Sequence, residues 1–96
     1  MIFFNPFLFE YRTLGANNPI ALWQSESIYK IESGCVHLYI IFPQQHTTAR
    51  LYVVSYYEGE IFCNIGQKAG LAFLAVGQGQ TVVQEISENT LFSQII

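Results

Sequence analysis

The sequence holds few side chains that could bind a metal ion. His37 and His46 are its two histidines, and aspartate is absent. Barrel metal sites that use a His-x-His pair need a further His and a Glu, and Tyr39 stands where the second His of such a pair would be. Metals such as zinc take three or four ligands at defined spacing. We therefore expect no metal site, with His37 packed between strands and His46 in a solvated loop.

The sequence also offers no clear set of residues for nucleophilic catalysis. Cys35 and His37 share one face of a predicted strand, but an activated nucleophile needs a base that a third group orients. Cys63 lies in the apolar run IFCNI, which predicts an inert buried thiol. Glu58 and Glu60 flank a turn glycine and are expected to face water. These patterns predict a protein that is not an enzyme, with no catalytic residue.

Aromatic and polar residues near the expected barrel opening are the candidates for contact with a small ligand. They are Tyr39, Tyr52, Asn64 and Lys68. Core packing or an interface is an alternative use for the tyrosines. Glycine-rich turns could also cradle an anion through backbone N–H groups, although Lys68 is the one cation near them in the sequence. The same glycines serve equally well as strand turns.

Composition limits the classes of partner. The chain has 96 residues, enough for one domain, and 51% of them are hydrophobic. Only 11% are charged, against roughly 25% in typical soluble domains. Some apolar surface is therefore expected to meet a protein partner, either another chain, a second copy in a homodimer, or the remainder of a longer chain. The net charge of −3 and four scattered basic residues exclude nucleic acid.

Cysteine content and the N-terminal residues bear on location. Two cysteines without CxxC spacing favour free thiols and a cytoplasmic protein. The apolar run at residues 2–9 is interrupted by Pro6. It is shorter than the roughly 20 residues that a membrane span requires. We expect no direct insertion of this segment into a membrane.

Alternating apolar residues and glycine punctuation predict an all-β fold. The predicted barrel covers residues 20–86, after a packing arm at residues 1–19, within one domain. Strands are predicted at residues 20–23, 28–32, 35–42, 49–57, 61–65, 71–76 and 81–86. With the arm, about eight short strands and their glycine turns predict an antiparallel jelly roll, or double-stranded β-helix. Apolar pairs at i,i+4 spacing predict the start of a helix over residues 87–96, which we expect to continue into a longer protein.

Two segments of this pattern resemble a known family. Residues 31–39, IESGCVHLY, and residues 58–62, EGEIF, resemble a hairpin and a following strand of the cyclic-nucleotide-binding-like jelly rolls, which are related to cupin-like barrels. The likeness covers about residues 20–86. In nucleotide binders of this family a Gly-Glu pair, a short helix and an Arg hold the ribose and the cyclic phosphate. Here Cys63 and Asn64 replace the pair, the loop GQKAG replaces the helix, and no Arg follows. The resemblance thus implies that cyclic nucleotides are not bound and that there is no cofactor.

A narrower likeness concerns peptide export. Trp23, together with the segments at residues 32–34, 59–62 and 74–77, resembles the N-terminal domains of NHLM-type bacteriocin export ABC transporters. This resemblance implies a regulatory or substrate-recruiting domain that works by protein contact, cytoplasmic and at the inner face of a membrane. A sensor that binds a small ligand in the barrel mouth is the first alternative. A cupin-like metal-dependent enzyme is a weaker one.

Overall fold

A computed structural model describes residues 10–45, 47–66 and 70–87 of the chain. This part forms one antiparallel arrangement of six strands and contains no helix. The strands are β1 (Glu10–Leu14), β2 (Ile20–Ala21), β3 (Ser27–Ile41), β4 (Leu51–Tyr57), β5 (Ile61–Cys63) and β6 (Ala72–Ser87). The predicted all-β, antiparallel class is confirmed, with six described strands where about eight were expected. The C-terminal helix predicted over residues 87–96 lies almost wholly outside the described residues.

A long two-stranded ribbon forms the centre of the fold. β3 and β6 have 15 and 16 residues and pair from Ser27 opposite Ser87 to Ile41 opposite Ala72. β4 and β5 flank β3, whereas β1 and β2 flank β6. The sheet order β1-β6-β3-β4 therefore leaves β1 and β4 as its outermost strands.

Two predicted turns are absent, because both strands of the ribbon continue through them. Gly34 and Gly79 have φ values of +96° and +60° and lie inside β3 and β6. The register with β6 shifts between Ile31 and Ser33 and again between Ser33 and Cys35. Glycine permits positive φ in a bulge as readily as in a turn. The prediction of a turn at each site was therefore wrong, and four predicted strands merge into two.

The ribbon is bent across its middle. A straight strand of 15 residues would span roughly 50 Å, whereas the longest dimension of the structure is 42 Å. Both halves of β3 also contribute to one core, through Tyr29 and Ile31 on one side of Gly34 and Val36 and Leu38 on the other. Folding the ribbon over itself brings these apolar faces together. The buried core consists of Leu14, Ile20, Leu22, Tyr29, Ile31, Val36, Leu38, Phe62, Ala75 and Val83.

The part of the predicted packing arm that the structure describes begins with strand β1. Residues of β1 pair with β6, from Glu10 opposite Glu85 to Leu14 opposite Thr81. The turn begins only after Leu14, which is fully buried. Asn18 closes this turn, because its side chain accepts the Gly15 N–H at 2.6 Å and donates to a backbone carbonyl at 2.8 Å.

Strand alternation places the Cys63 thiol differently from the prediction. In β5, Phe62 is buried while Ile61 and Cys63 on either side are exposed. Successive side chains of a strand point to opposite faces, so Cys63 faces outward and the prediction of a buried thiol was wrong. Cys35 is half-buried, and both thiols are free.

Candidate functional site

Two of the four predicted ligand-contact residues lie side by side. Tyr39 on β3 is opposite Tyr52 on β4, and their ring centroids are 6.1 Å apart at an interplanar angle of 71°. His37 lies edge-on to both rings, at 6.4 Å from Tyr39 and 5.9 Å from Tyr52. This group is on the outer face of the sheet, since Val36 and Leu38, which alternate with it on β3, point into the core.

Of the other two predicted residues, Asn64 lies apart from this group. Asn64 is exposed and follows β5, which pairs with the first half of β3. Its side-chain amide donates to the Ser25 carbonyl at 2.7 Å, which ties the end of β5 to the segment before β3. Lys68 lies outside the described residues. A role in ligand contact for the four residues stays a prediction.

His37 is the centre of a hydrogen-bond network on the outer face. Its Nε2 is 2.9 Å from the Gln78 side-chain oxygen, and its Nδ1 is 2.7 Å from the Ser55 hydroxyl. Because an amide oxygen only accepts, the Nε2–H of His37 donates to Gln78. Tyr52 lies 2.7 Å from the same serine. The half-buried ring of His37 lies on the outer face and joins Ser55 of β4 to Gln78 of β6.

The network has the outline of a nucleophilic site without its electrostatics. Ser55 and His37 form a hydroxyl–imidazole pair, but the third member is the neutral amide of Gln78. A carboxylate at that position would stabilise the imidazolium that forms in catalysis, and an amide oxygen has no charge to do so. Cys35 is no better placed, with its sulfur 4.0 Å from Nδ1. In the described part of the chain no three His, Cys, Asp or Glu side chains lie close enough together to hold a metal ion.

A second group of polar residues lines an open cleft near the β1 edge of the sheet, away from β4. The cleft has a volume of about 520 Å³ and lies between β1, the segment before β3 and the end of β6. Its lining residues are Arg12, Pro19, Ile20, Ala21, Gln24, Ser25, Glu26, Ser27, Tyr29 and Glu85. Most of the lining is therefore charged or hydroxyl-bearing, and a smaller part of it is apolar.

Glu85 is the most heavily bonded side chain of the cleft. Its Oε1 accepts from the Ser27 hydroxyl at 3.1 Å and from the Tyr29 hydroxyl at 3.5 Å. Its Oε2 lies 3.6 Å from a guanidinium nitrogen of Arg12. Ser25 completes the chain of bonds, at 2.6 Å from the Tyr29 hydroxyl. The carboxylate is thus held by two hydroxyls, and Arg12 adds one long contact.

An aromatic stack supports the cleft from below. The ring of Phe62 stacks on Tyr29 at 5.1 Å between centroids and on Tyr56 at 5.6 Å. Tyr29 is 2% exposed, so its ring belongs to the core while its hydroxyl reaches the cleft. Packing of this kind fixes the position of the hydroxyl and, through it, of Glu85.

No pattern in the sequence predicts this cleft. Arg12 and Glu85 lie on strands at opposite ends of the described chain and meet because β1 pairs with β6, with Arg12 opposite Val83. Ser27 and Tyr29 reach Glu85 through the β3–β6 pairing, with Tyr29 directly opposite Glu85. The sequence holds one weak indication of the cleft, which is that an Arg and a Glu stand within segments of otherwise strand-forming residues.

Comparisons with known proteins identify the fold. No protein-family model matches the sequence, and no curated protein matches it. Among solved structures, reduced CprK without ligand is 17% identical, with a TM-score of 0.68 over 91% of this chain and 41% of its own. CprK in complex with o-chlorophenolacetic acid is 16% identical, with a TM-score of 0.67 over 91% of this chain and 36% of its own. A CooA mutant from Carboxydothermus hydrogenoformans is 17% identical, with a TM-score of 0.64 over 91% of this chain and 36% of its own.

These likenesses define the class of fold. The chain has the β fold of the matching parts of CprK and CooA, which is the cyclic-nucleotide-binding-like fold. The resemblance to that fold class, which residues 31–39 and 58–62 carried, is confirmed at this level. The chain spans well under half the length of these structures. No helix in the described ranges is long and apolar enough to cross a membrane.

Proposed function

We propose that the chain is a non-catalytic regulatory domain that binds a small organic carboxylate in the Arg12–Glu85 cleft. The observation that carries the proposal is the position of Arg12, whose guanidinium lines a polar cleft of about 520 Å³ with one long contact to Glu85. Guanidinium groups bind carboxylates through paired N–H donors. A ligand carboxylate would occupy the donors that Glu85 leaves unused.

The size and lining of the cleft suit a small molecule. Sites for small ligands commonly have volumes of about 300–1,000 Å³ and combine apolar walls with a few placed polar groups. Ile20 and Ala21 supply apolar wall, while the hydroxyls of Ser25 and Ser27 can bond to polar substituents. The hydroxyls of Ser27 and Tyr29 hold the Glu85 carboxylate in a fixed position beside Arg12.

The structural neighbours support a sensing role by analogy of fold. One of them, CprK, is known in complex with o-chlorophenolacetic acid, which is itself a small aromatic carboxylic acid. The barrel-mouth site predicted at Tyr39, Tyr52, Asn64 and Lys68 remains an alternative location for the ligand. The two locations are distinguished by the variants below.

Thermal unfolding of the purified chain with phenylacetate, acetate, cyclic AMP or zinc tests the proposal. A ligand that binds only the folded state raises the melting temperature with its concentration. We expect an increase with phenylacetate that Arg12→Gln abolishes and that Arg50→Gln, an exposed arginine outside the cleft, preserves. If Tyr52→Phe abolished the increase in melting temperature and Arg12→Gln preserved it, the binding site would be assigned to the outer face. No shift with any carboxylate would refute the proposal, and a shift with zinc alone would revive the metal-dependent alternative.

A second candidate is an accessory, cytoplasmic domain of a peptide exporter, at the inner face of the membrane. It is favoured by the motifs around Trp23 and residues 59–62, and by the occurrence of this fold as a minor part of longer chains among its neighbours. The leaders of NHLM-type exporters resemble nitrile hydratase, and fluorescence anisotropy with a labelled leader peptide of this kind provides the test. Saturable binding that an unlabelled leader displaces is expected, and no change in anisotropy would count against this role.

A further inference from the structure

The charges that line the Arg12–Glu85 cleft do not balance. Two glutamates and one arginine line it, which gives a formal charge of −1. Glu10 lies opposite Glu85 in the β1–β6 pairing and adds a further negative charge close by. A ligand that carried only a carboxylate would make this excess larger. We infer, on the basis of the proposed function, that the ligand is a small amino acid, whose carboxylate binds Arg12 and whose ammonium group binds Glu26.

Glu26 is the carboxylate of the cleft that is available to a ligand. It is exposed, and its side chain makes no hydrogen bond or ion pair to another described residue. Glu85, by contrast, already accepts from the hydroxyls of Ser27 and Tyr29. A carboxylate accepts strong hydrogen bonds from an ammonium group, and at Glu26 no existing bond has to be broken first. Glu26 therefore supplies the contact to the amine, while Glu85 stays with its present partners.

Strand order sets Arg12 and Glu26 on opposite sides of Glu85. Arg12 is on β1 and Glu26 directly precedes β3, and both strands pair with β6, which carries Glu85. The backbones of β1 and β3 are thus separated by two strand spacings, roughly 10 Å. Both side chains line the same cleft, so a small molecule between them meets a guanidinium on one side and a carboxylate on the other. The two opposite charges of an amino acid complement this arrangement.

The rest of the lining suits an uncharged side chain on the amino acid. Pro19, Ile20 and Ala21 supply apolar wall, and Gln24 adds a neutral amide. Among the described lining residues, none is charged apart from the arginine and the two glutamates. A third charge on the ligand would have no partner in the cleft, and a charge that is removed from water without a partner weakens binding.

Titration of the chain with three related acids, followed by NMR chemical shifts, tests the inference. Phenylacetate, mandelate and phenylglycine share a carboxylate and a phenyl ring. They differ at the α-carbon, which carries a hydrogen, a hydroxyl or an ammonium group. We expect phenylglycine to bind roughly fivefold more tightly than phenylacetate, which is the upper value for one exposed ion pair. Mandelate should bind about as well as phenylacetate, because its hydroxyl carries no charge.

Two glutamate variants assign the preference to its residue. Glu26→Gln should reduce the affinity for phenylglycine to that for phenylacetate, without weakening the binding of phenylacetate. Glu58→Gln, at an exposed glutamate outside the cleft, is the matched control and should keep the preference. Equal affinities for the two acids in the wild type, or a preference that persists in Glu26→Gln, would overturn the inference and leave the carboxylate site at Arg12 standing. Binding of phenylglycine that Arg12→Gln does not weaken, or no binding of any of the three acids, would refute the proposed function and the inference with it.

Discussion

The hydroxyl of Thr81 joins the two strands of the central ribbon where they bend. Thr81 is fully buried, and its oxygen accepts the Cys35 N–H at 3.2 Å. Its hydrogen is directed between the Cys35 carbonyl at 2.9 Å and the Gln78 carbonyl at 2.8 Å. Gly34 makes room for this hydroxyl, since a Cβ there would lie 2.5 Å from the threonine oxygen. We expect Thr81→Val to destabilise the fold although it preserves the volume of the side chain.

The expected magnitude follows from the bonds lost. One accepted bond and one shared donated bond disappear, and each is worth about 0.5–1.5 kcal/mol net. The sum is about 2 kcal/mol of unfolding free energy, because the Cys35 N–H and the two carbonyls lose their partner in a region that water reaches only in part. A domain of this size loses roughly 4–8 °C in melting temperature per kcal/mol. Thr81→Ser keeps the hydroxyl and loses one methyl group, at a cost of about 1 kcal/mol.

Equilibrium unfolding in urea, followed by circular dichroism, compares the two variants with the wild type. The volume-conserving Val variant should be less stable than the smaller Ser variant, because the hydroxyl matters more than the methyl group here. A Val variant as stable as the wild type would refute the role given to Thr81. A Ser variant that is the less stable of the two would show that packing, not hydrogen bonding, holds the bend.

Three further outcomes are expected from the same unfolding assay. Gly77→Ala should cost about 3 kcal/mol or prevent folding, since its Cβ would lie 2.6 Å from the Leu14 carbonyl oxygen; Gly66→Ala, with open space around it, is the control and should differ from the wild type by less than about 1 kcal/mol. Phe62→Ala should cost about 3–5 kcal/mol, because it removes the centre of the aromatic stack, and a smaller loss would show that the stack collapses around the gap. Arg12→Gln should change stability by less than about 1 kcal/mol, since its ion pair is long and partly exposed; a larger loss would mean that Arg12 supports the fold as well as the cleft.

Local pattern was sufficient for the strands and for the direction of some side chains. Alternation along residues 35–42 places Val36 and Leu38 on one face of the strand and His37 and Tyr39 on the other, and the structure has the same arrangement. The same pattern could not distinguish a hairpin turn from a bend inside a strand. Gly34 has a positive φ that suits either, and only the pairing of β3 with β6 along its whole length decides between them.

The sequence by itself determined that the chain is rich in β-strands and low in charge, because these properties depend on composition and on neighbouring residues. The tertiary structure alone decided that Arg12 meets Glu85, that His37 meets Ser55 and Gln78, and that β4 is an edge. Each of these contacts joins residues far apart in the chain. Strand order and register create them, and neither leaves a local pattern in the sequence.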